Sequence, residues 1–135
     1  MPHFSIEYSA NLEFSTDMQA LCEKVHAAAL ATGVFPKGGT RVRAHRCDAY
    51  TVADQHPDNA FLHMTISIGA GRTQDTKRAA GEAIWSATTD ALVTLFDTPH
   101  FALTMEIREI DPALSWKKNS IHPRLAAGET DAPAG

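Results

Sequence analysis

Residues 61–68 have the sequence Phe-Leu-His-Met-Thr-Ile-Ser-Ile, in which apolar and polar side chains alternate. This period of two is typical of a β-strand with one face against a core. A turn over 69–72 follows, and then a stretch over 74–96 whose apolar residues recur at three- and four-residue steps, as in an amphipathic helix. Pro99 ends that helix, and a further strand is predicted over 102–110. This part of the chain therefore predicts a strand–helix–strand unit.

The first half of the chain follows the same plan. Residues 3–9 alternate, and a strand over 41–45 follows a turn over 36–39. Between them, apolar residues at helical spacing predict an amphipathic helix that ends at Gly33. These residues are Met18, Leu21, Cys22, Val25, Ala28 and Ala29. A polar connection over 48–59 separates the halves, so the chain contains a repeat of pattern, 2–48 and 60–110.

Two such units predict an α+β fold of two layers. Each unit joins parallel strands by a right-handed crossover, which gives a four-stranded sheet with both helices on one face. The other face is polar on every strand, and parallel strands are usually covered on both sides, so we expect this face to turn toward neighbouring subunits. Its residues are His3, Ser5, Glu7, Arg41, Arg43, His45, His63, Thr65, Ser67, Thr104, Glu106 and Arg108.

Length and composition predict a single domain. The chain has 135 residues, of which 44% are hydrophobic and 21% charged, enough for one core without disulfides or metals. We assign this domain to residues 1–125, with a C-terminal arm over 111–125 and a disordered tail of small and polar residues over 126–135. The arm carries apolar residues that are candidates to dock on another protomer. They are Leu114, Trp116, Ile121 and Leu125.

The net charge, the apolar runs and the first residues of the chain argue against a nucleic-acid-binding, a membrane-spanning and a secreted protein. The net charge of −4 argues against a nucleic-acid partner. The chain has no apolar run near the roughly 20 residues that span a membrane, and residues 1–4 lack the features of a signal peptide. We therefore expect a cytoplasmic protein without a membrane partner. Cys22 and Cys47 lack metal-ligand spacing and are interpreted as two buried small apolar residues.

Pro2 is the first candidate for chemistry. A residue as small as proline after the initiator Met1 permits removal of the methionine, which would leave a secondary amine as the N-terminus. Position 2 directly precedes a strand whose neighbours carry arginines. Cations and apolar groups lower the pKa of an amine toward neutrality, as a general base requires. Proline at position 2 is also common without any function, and retention of Met1 would make the nitrogen an amide.

Arg41 and Arg43 are two residues apart on a strand and so point to the same face. Two converging guanidinium groups favour bidentate binding of a dicarboxylate. The alternative is that they pair with Glu7 or Glu106 on neighbouring strands.

The turn over 69–72, Gly-Ala-Gly-Arg, precedes a helix, and its exposed amides and Arg72 suit an anion. It lacks the remaining residues of a dinucleotide or P-loop motif. Three histidines, His3, His45 and His63, fall on the polar face, but no metal-binding pair supports a site there. We therefore predict no metal.

Several segments together resemble the 5-carboxymethyl-2-hydroxymuconate isomerase family of the tautomerase superfamily, whose relatives include 4-oxalocrotonate tautomerase and macrophage migration inhibitory factor. The resemblance covers residues 1–125 and depends on the order and spacing of its parts. These parts are Met1-Pro2-His3-Phe4, residues 31–36 (Ala-Thr-Gly-Val-Phe-Pro), Arg41-Val42-Arg43, His63-Met64-Thr65, residues 68–72 (Ile-Gly-Ala-Gly-Arg) and residues 116–122 (Trp-Lys-Lys-Asn-Ser-Ile-His).

The resemblance implies a homotrimer with active sites at subunit interfaces, no cofactor, and an isomerase of a di- or tricarboxylate in aromatic-acid catabolism. The family's catalytic proline corresponds to Pro2, and its substrate-binding arginines to Arg41, Arg43 and Arg72. Two places depart from the family pattern: residues 37–40 are unusually polar, and Arg46 stands where an apolar residue is expected. Alternative functions are a phenylpyruvate-type tautomerase, a hydratase, a silent trimeric binding protein or a metal-binding protein.

Overall fold

The computed structural model describes residues 1–128. Its elements are four strands, two long helices and one short one. They are β1 (His3–Ser9), α1 (Met18–Ala31), β2 (Arg41–Cys47), β3 (Ala60–Gly69), α2 (Gln74–Ala91), β4 (Phe101–Ile110) and α3 (Ile121–Ala126), with 3-10 turns at Ala10–Phe14, Lys37–Gly39, Val93–Asp97 and Pro112–Leu114.

The four strands form one sheet in the order β2-β1-β3-β4. Within each half the two strands are parallel, because a helix carries the chain back between them. The halves join through β1 and β3, which are antiparallel. The predicted two-layer α+β fold built from two strand–helix–strand units is confirmed.

Alternation along the strands divides the sheet into two faces. On β1 and β3 every second residue is buried, including Phe4, Ile6 and Met64. These side chains pack with one stripe of each helix, represented by Val25 of α1 and Ile84 of α2, both fully buried. Burial of this apolar surface is the main stabilising contribution to the fold.

Side-chain caps fix where the helices begin. The Asp17 carboxylate accepts a hydrogen bond from the N–H of Ala20 at 3.0 Å, and the Thr73 hydroxyl accepts one from the N–H of Thr76 at 3.1 Å. Each satisfies a donor that the first helical turn leaves free.

The predicted helix over 74–96 is too long. Leu92 leaves the helical conformation (φ −111°, ψ 17°), and the chain continues as a 3-10 turn. Thr88, Thr89, Val93 and Thr94 are β-branched and weaken the helix at this point. Burial of Leu92 in the core fixes the change of direction.

The C-terminal boundary and the cysteines also differ from expectation. Ala126 belongs to α3 and the chain is described to Gly128, so the predicted tail over 126–135 begins too early; its residues 129–135 lie outside the described part. Cys22 and Cys47 are free and half-buried rather than fully buried. No helix within residues 1–128 is long and apolar enough to cross a membrane.

The strand register aligns the predicted polar residues in rows across the second face. Arg41, His3, Ser67 and Arg108 form one row, and Arg43, Ser5, Thr65 and Glu106 form the next. This face lies opposite the helices.

Candidate functional site

The amino terminus opens into a cavity of about 500 Å³ at the start of β1. A second cavity of about 520 Å³ adjoins it and shares Met1, Lys117 and Asn119. The first is lined by Met1, Pro2, Pro36, Gly69, Ala70, Arg72, Lys117, Asn119 and His122. Arg41 and His3 line the second, together with residues of the segment 115–121.

Three parts of the fold bring these residues together. Strand β1 begins at His3 and holds the preceding Pro2 in a buried position. The parallel neighbour β2 places Arg41 opposite His3, and the turn after β3 supplies Arg72. The third part is the segment 115–122, which is irregular up to Ser120, continues into the first residues of α3 and covers the amino terminus.

Arg41 and Arg43 both contact His3. Nη1 of Arg41 lies 3.3 Å from Nε2 of His3, and Nη1 of Arg43 lies 3.2 Å from Nδ1 of the same ring. Burial, the two guanidinium groups and the amino terminus lower the pKa of His3. A neutral imidazole has one acceptor nitrogen, so it satisfies one of the two arginines and leaves the other free to bind an anion.

The alternative pairing of these arginines with acidic residues is not observed. Within residues 1–128 neither Arg41 nor Arg43 forms an ion pair with a carboxylate. Glu106 instead binds Arg108 at 3.0 Å and His63 at 3.0 Å. The unexpected Arg46 pairs with Glu13 and Asp48, each at 2.8 Å, which explains its place on an exposed strand edge.

Arg72 is held by the backbone around it. It donates to the carbonyl oxygens of Gly69 and Val34, both at 3.2 Å, and its guanidinium carbon lies 5.6 Å from the centre of the Phe35 ring. A guanidinium has five N–H donors, so these contacts orient the group and leave donors for the cavity.

The amine at the chain start lies among positive charges. Burial, followed by the charges of Lys117, Arg41 and Arg72, lowers the pKa of the Met1 amino group. Arg43 is not among these charges, so the structure separates it from the other two predicted arginines. Lys117 was not predicted as a site residue, although the segment that contains it contributed to the resemblance.

The segment 115–122 docks on its own chain. Asn119 donates to the carbonyl oxygen of Gly38 at 2.9 Å, and the His122 ring packs against Gly38 and Gly39. The polar side chains of the predicted arm thus anchor it within the subunit. Its apolar residues Leu114 and Trp116 are 70% and 85% exposed and remain candidates for contact with another protomer.

The histidines offer poor geometry for a metal. His3 lies between two guanidinium groups, which would repel a cation. In the described chain one other group, His56, Asp58 and His100, has ligand atoms within 4.8 Å of one another. Its two rings are stacked at 4.2 Å, and Nδ1 of each is already engaged, in His56 by the N–H of Asp58 at 3.1 Å and in His100 by Oδ1 of Asn59 at 2.9 Å.

Comparison with known proteins decides the family. The model of the 5-carboxymethyl-2-hydroxymuconate isomerase family matches residues 2–125. The chain belongs to this family. It is 38% identical over 122 residues to the 5-carboxymethyl-2-hydroxymuconate Delta-isomerase of Escherichia coli, covering 90% of this chain and 97% of that protein.

Solved structures agree with this membership. The crystal structure of a 5-carboxymethyl-2-hydroxymuconate isomerase from Deinococcus radiodurans R1 matches with a TM-score of 0.86 and 38% identity, covering 92% of this chain and 93% of that one. A macrophage migration inhibitory factor-like protein from Entamoeba histolytica matches with a TM-score of 0.61 and 9% identity over 88% and 96% of the two chains. The second match concerns the fold alone and confirms the expected tautomerase-like architecture.

Proposed function

We propose that this isomerase-family member converts 5-carboxymethyl-2-hydroxymuconate to its conjugated 2-oxo isomer, with the Pro2 amine as the base. The proposal depends above all on the buried Pro2, which lines a cavity together with Lys117 and Arg72, while Arg41 lines the adjoining cavity. A secondary amine in this position would be neutral in a larger fraction of molecules near pH 7 than an exposed amine.

Removal of Met1 is the step that creates the base. With Met1 attached, the Pro2 nitrogen is a tertiary amide without a basic lone pair. After removal, neutral Pro2 takes the proton of the 2-hydroxyl group of the dienol and returns it to a distal carbon of the conjugated system. The 2-oxygen gains negative charge as its proton leaves, and the product is the conjugated 2-oxo acid.

The arginines would supply binding and electrostatic stabilisation. Arg41 and Arg72 bind carboxylates of the substrate and stabilise the charge that develops on the 2-oxygen, a contribution of about 3 kcal/mol per donor. Arg43 acts through His3, whose ring it contacts at 3.2 Å. A multiply charged substrate fits this concentration of cations better than the monocarboxylate of a phenylpyruvate-type tautomerase.

We also propose that the active form is a homotrimer. The polar sheet face and the exposed Leu114 and Trp116 support an assembly in which neighbouring chains cover both. The proposed reaction is part of aromatic-acid catabolism and uses no cofactor.

The test is the ultraviolet absorbance of 5-carboxymethyl-2-hydroxymuconate mixed with protein whose intact mass shows that Met1 is absent. Conversion of the dienol band to that of the conjugated ketone is expected. Pro2→Ala, which still permits removal of Met1, should lower kcat by about a hundredfold or more because the ring-fixed secondary amine is replaced by a primary amine that is free to rotate, while KM changes little. Unchanged kcat in this variant would refute the assignment of the base. A flat trace with the processed wild type would refute the substrate.

A further inference from the structure

The side-chain amide of Asn119 is fixed by three hydrogen bonds. Its Oδ1 accepts from the backbone N–H of Ile121 at 2.7 Å and of His122 at 3.2 Å. Its Nδ2 donates to the carbonyl oxygen of Gly38 at 2.9 Å. Rotation of the amide by half a turn would face its NH₂ group toward two N–H donors, so one orientation satisfies all three contacts.

The second N–H of the Asn119 amide and the guanidinium of Arg41 both approach the same atom, the sulfur of Met1. Nδ2 of Asn119 lies 3.4 Å from Sδ of Met1, and Nη2 of Arg41 lies 3.7 Å from the same sulfur. A thioether is a weak acceptor, so two strong donors converge on an atom that satisfies neither well. A carboxylate at this position would accept from both, and the bond from Arg41 would be charge-assisted on both sides.

We propose that Asn119 is a substrate-binding residue which, together with Arg41, binds one carboxylate at the position of the Met1 sulfur. This inference depends on the proposed function in one respect, since the position becomes free only when Met1 is removed. The event that exposes the Pro2 amine then also vacates the carboxylate position. Lys117, from the same segment, lines both cavities and adds positive charge beside it.

Binding of adipate, a dicarboxylate that does not tautomerise, tests this role without using the reaction. The titration is followed by NMR on the processed chain and on a preparation that retains Met1. The processed wild type should bind, and the Met1-bearing chain should bind about tenfold more weakly or not at all, because the thioether fills the position.

Two substitutions of Asn119 show whether this residue binds the carboxylate or only holds the segment 115–122 in place. Asn119→Ala removes the donor and the acceptor oxygen that holds Ile121 and His122. Asn119→Asp keeps an acceptor oxygen but replaces the donor with a negative charge. If Asn119 binds the carboxylate, both should weaken adipate binding about tenfold or more, and the aspartate at least as much as the alanine. Ser86→Ala is the control, since Ser86 is exposed on α2 and lines neither cavity, and it should bind like the wild type.

Tryptic cleavage after Lys117 and Lys118 shows whether the segment 115–122 stays docked. Unchanged cleavage together with weaker binding supports the proposal. Wild-type affinity in both Asn119 variants would overturn it, and so would weakened binding confined to variants whose segment is cleaved faster.

The adipate titration tests the role of Asn119 separately from the isomerase assay, which tests the proposed function. Turnover of 5-carboxymethyl-2-hydroxymuconate with a KM unaffected by either Asn119 substitution would overturn this inference and keep the proposed function. Adipate binding that depends on Asn119, without any turnover, would support this inference and overturn the function.

Discussion

Lys117 and Arg41 are far apart in the sequence but both lie close to the amino terminus, and the positive charge of each acts on the Met1 amino group. Burial and then the nearby positive charges of Lys117, Arg41 and Arg72 disfavour the ammonium form, which is why the pKa of the Met1 amino group is lowered. If the Pro2 amine is the base, as proposed, it must be neutral to accept a proton, and we expect the same surroundings to set the acidic limit of the pH range of activity.

Lys117→Met is expected to move that limit. Loss of the cation favours the ammonium form, so the pKa of the amine rises and the acidic limb of the kcat/KM profile shifts to higher pH. The measurement is the pH dependence of kcat/KM for both proteins. Lys118→Met is the matched control, because Lys118 is adjacent in sequence but is not among the charges that act on the amine. Equal shifts in the two variants would contradict the specific role of Lys117.

Arg41 and Arg43 should differ in their effect on substrate binding. Arg41 lines the cavity beside Met1, whereas Arg43 lines neither of the two cavities at the amino terminus. Arg41→Gln should raise KM by about 10- to 100-fold through loss of a hydrogen bond to a charged group, and Arg43→Gln by a much smaller factor. Steady-state kinetics on the two variants decide this, and a larger KM for Arg43→Gln would reverse the assignment.

At the scale of elements, the close contact between the 3-10 turn Lys37–Gly39 and the segment 115–122 depends on Gly38. A Cβ atom at this position would lie 2.5 Å from Nδ1 of His122, closer than such atoms approach one another. Gly38→Ala should therefore displace the segment, raise KM and speed tryptic cleavage after Lys117.

A double variant tests whether the clash with His122 causes the effect of Gly38→Ala. In Gly38→Ala/His122→Ala the clash is removed, so the added cost of Gly38→Ala should be smaller than in the wild-type background. The tryptic cleavage rate and KM are measured for the wild type, the two single variants and the double variant. Fully additive effects would show that the contact between residues 38 and 122 does not mediate the change.

The elements of the fold were largely predictable because their signals are local. The alternation in 3–9 and 61–68 depends on neighbouring residues and predicted strands that the structure contains with bounds changed by one residue at most. The end of α2 was missed because burial of Leu92, a tertiary effect, decides it.

The candidate site was predictable only where a local pattern placed its residues, a strand or, for Arg72, the turn over 69–72. Arg41 and Pro2 followed from the predicted strands. Asn119 did not, because it lies in an irregular segment without periodicity and meets Gly38 across 81 positions of sequence. Such a contact depends on the path of the folded chain, which no local pattern encodes.

At the scale of the whole molecule, the exposed apolar residues of the arm predict an assembly. Leu114 and Trp116 are too exposed to contribute to the core of one chain, and an interface would bury them. We expect light scattering after size-exclusion chromatography to give three times the 14.6 kDa chain mass. Leu114→Asp/Trp116→Asp should shift the protein toward a smaller species.

Val93→Asp serves as the control for the added charge. Val93 is 60% exposed and lies on the 3-10 turn after α2, which is not part of the arm. It should leave the mass unchanged. A wild-type protein with the mass of one chain would contradict the trimer and would not affect the fold.

The antiparallel pairing of β1 with β3 relates the two halves by an approximate twofold axis. The position that corresponds to Pro2 in the second half lies at the start of β3, where the N–H of Ala60 donates to the carbonyl of His100 at 2.8 Å. That nitrogen is a peptide amide and carries no basic lone pair. Repeating the strand–helix–strand unit within one chain therefore does not repeat the basic amine. A reagent selective for the terminal amine should modify one site per polypeptide, however many polypeptides assemble.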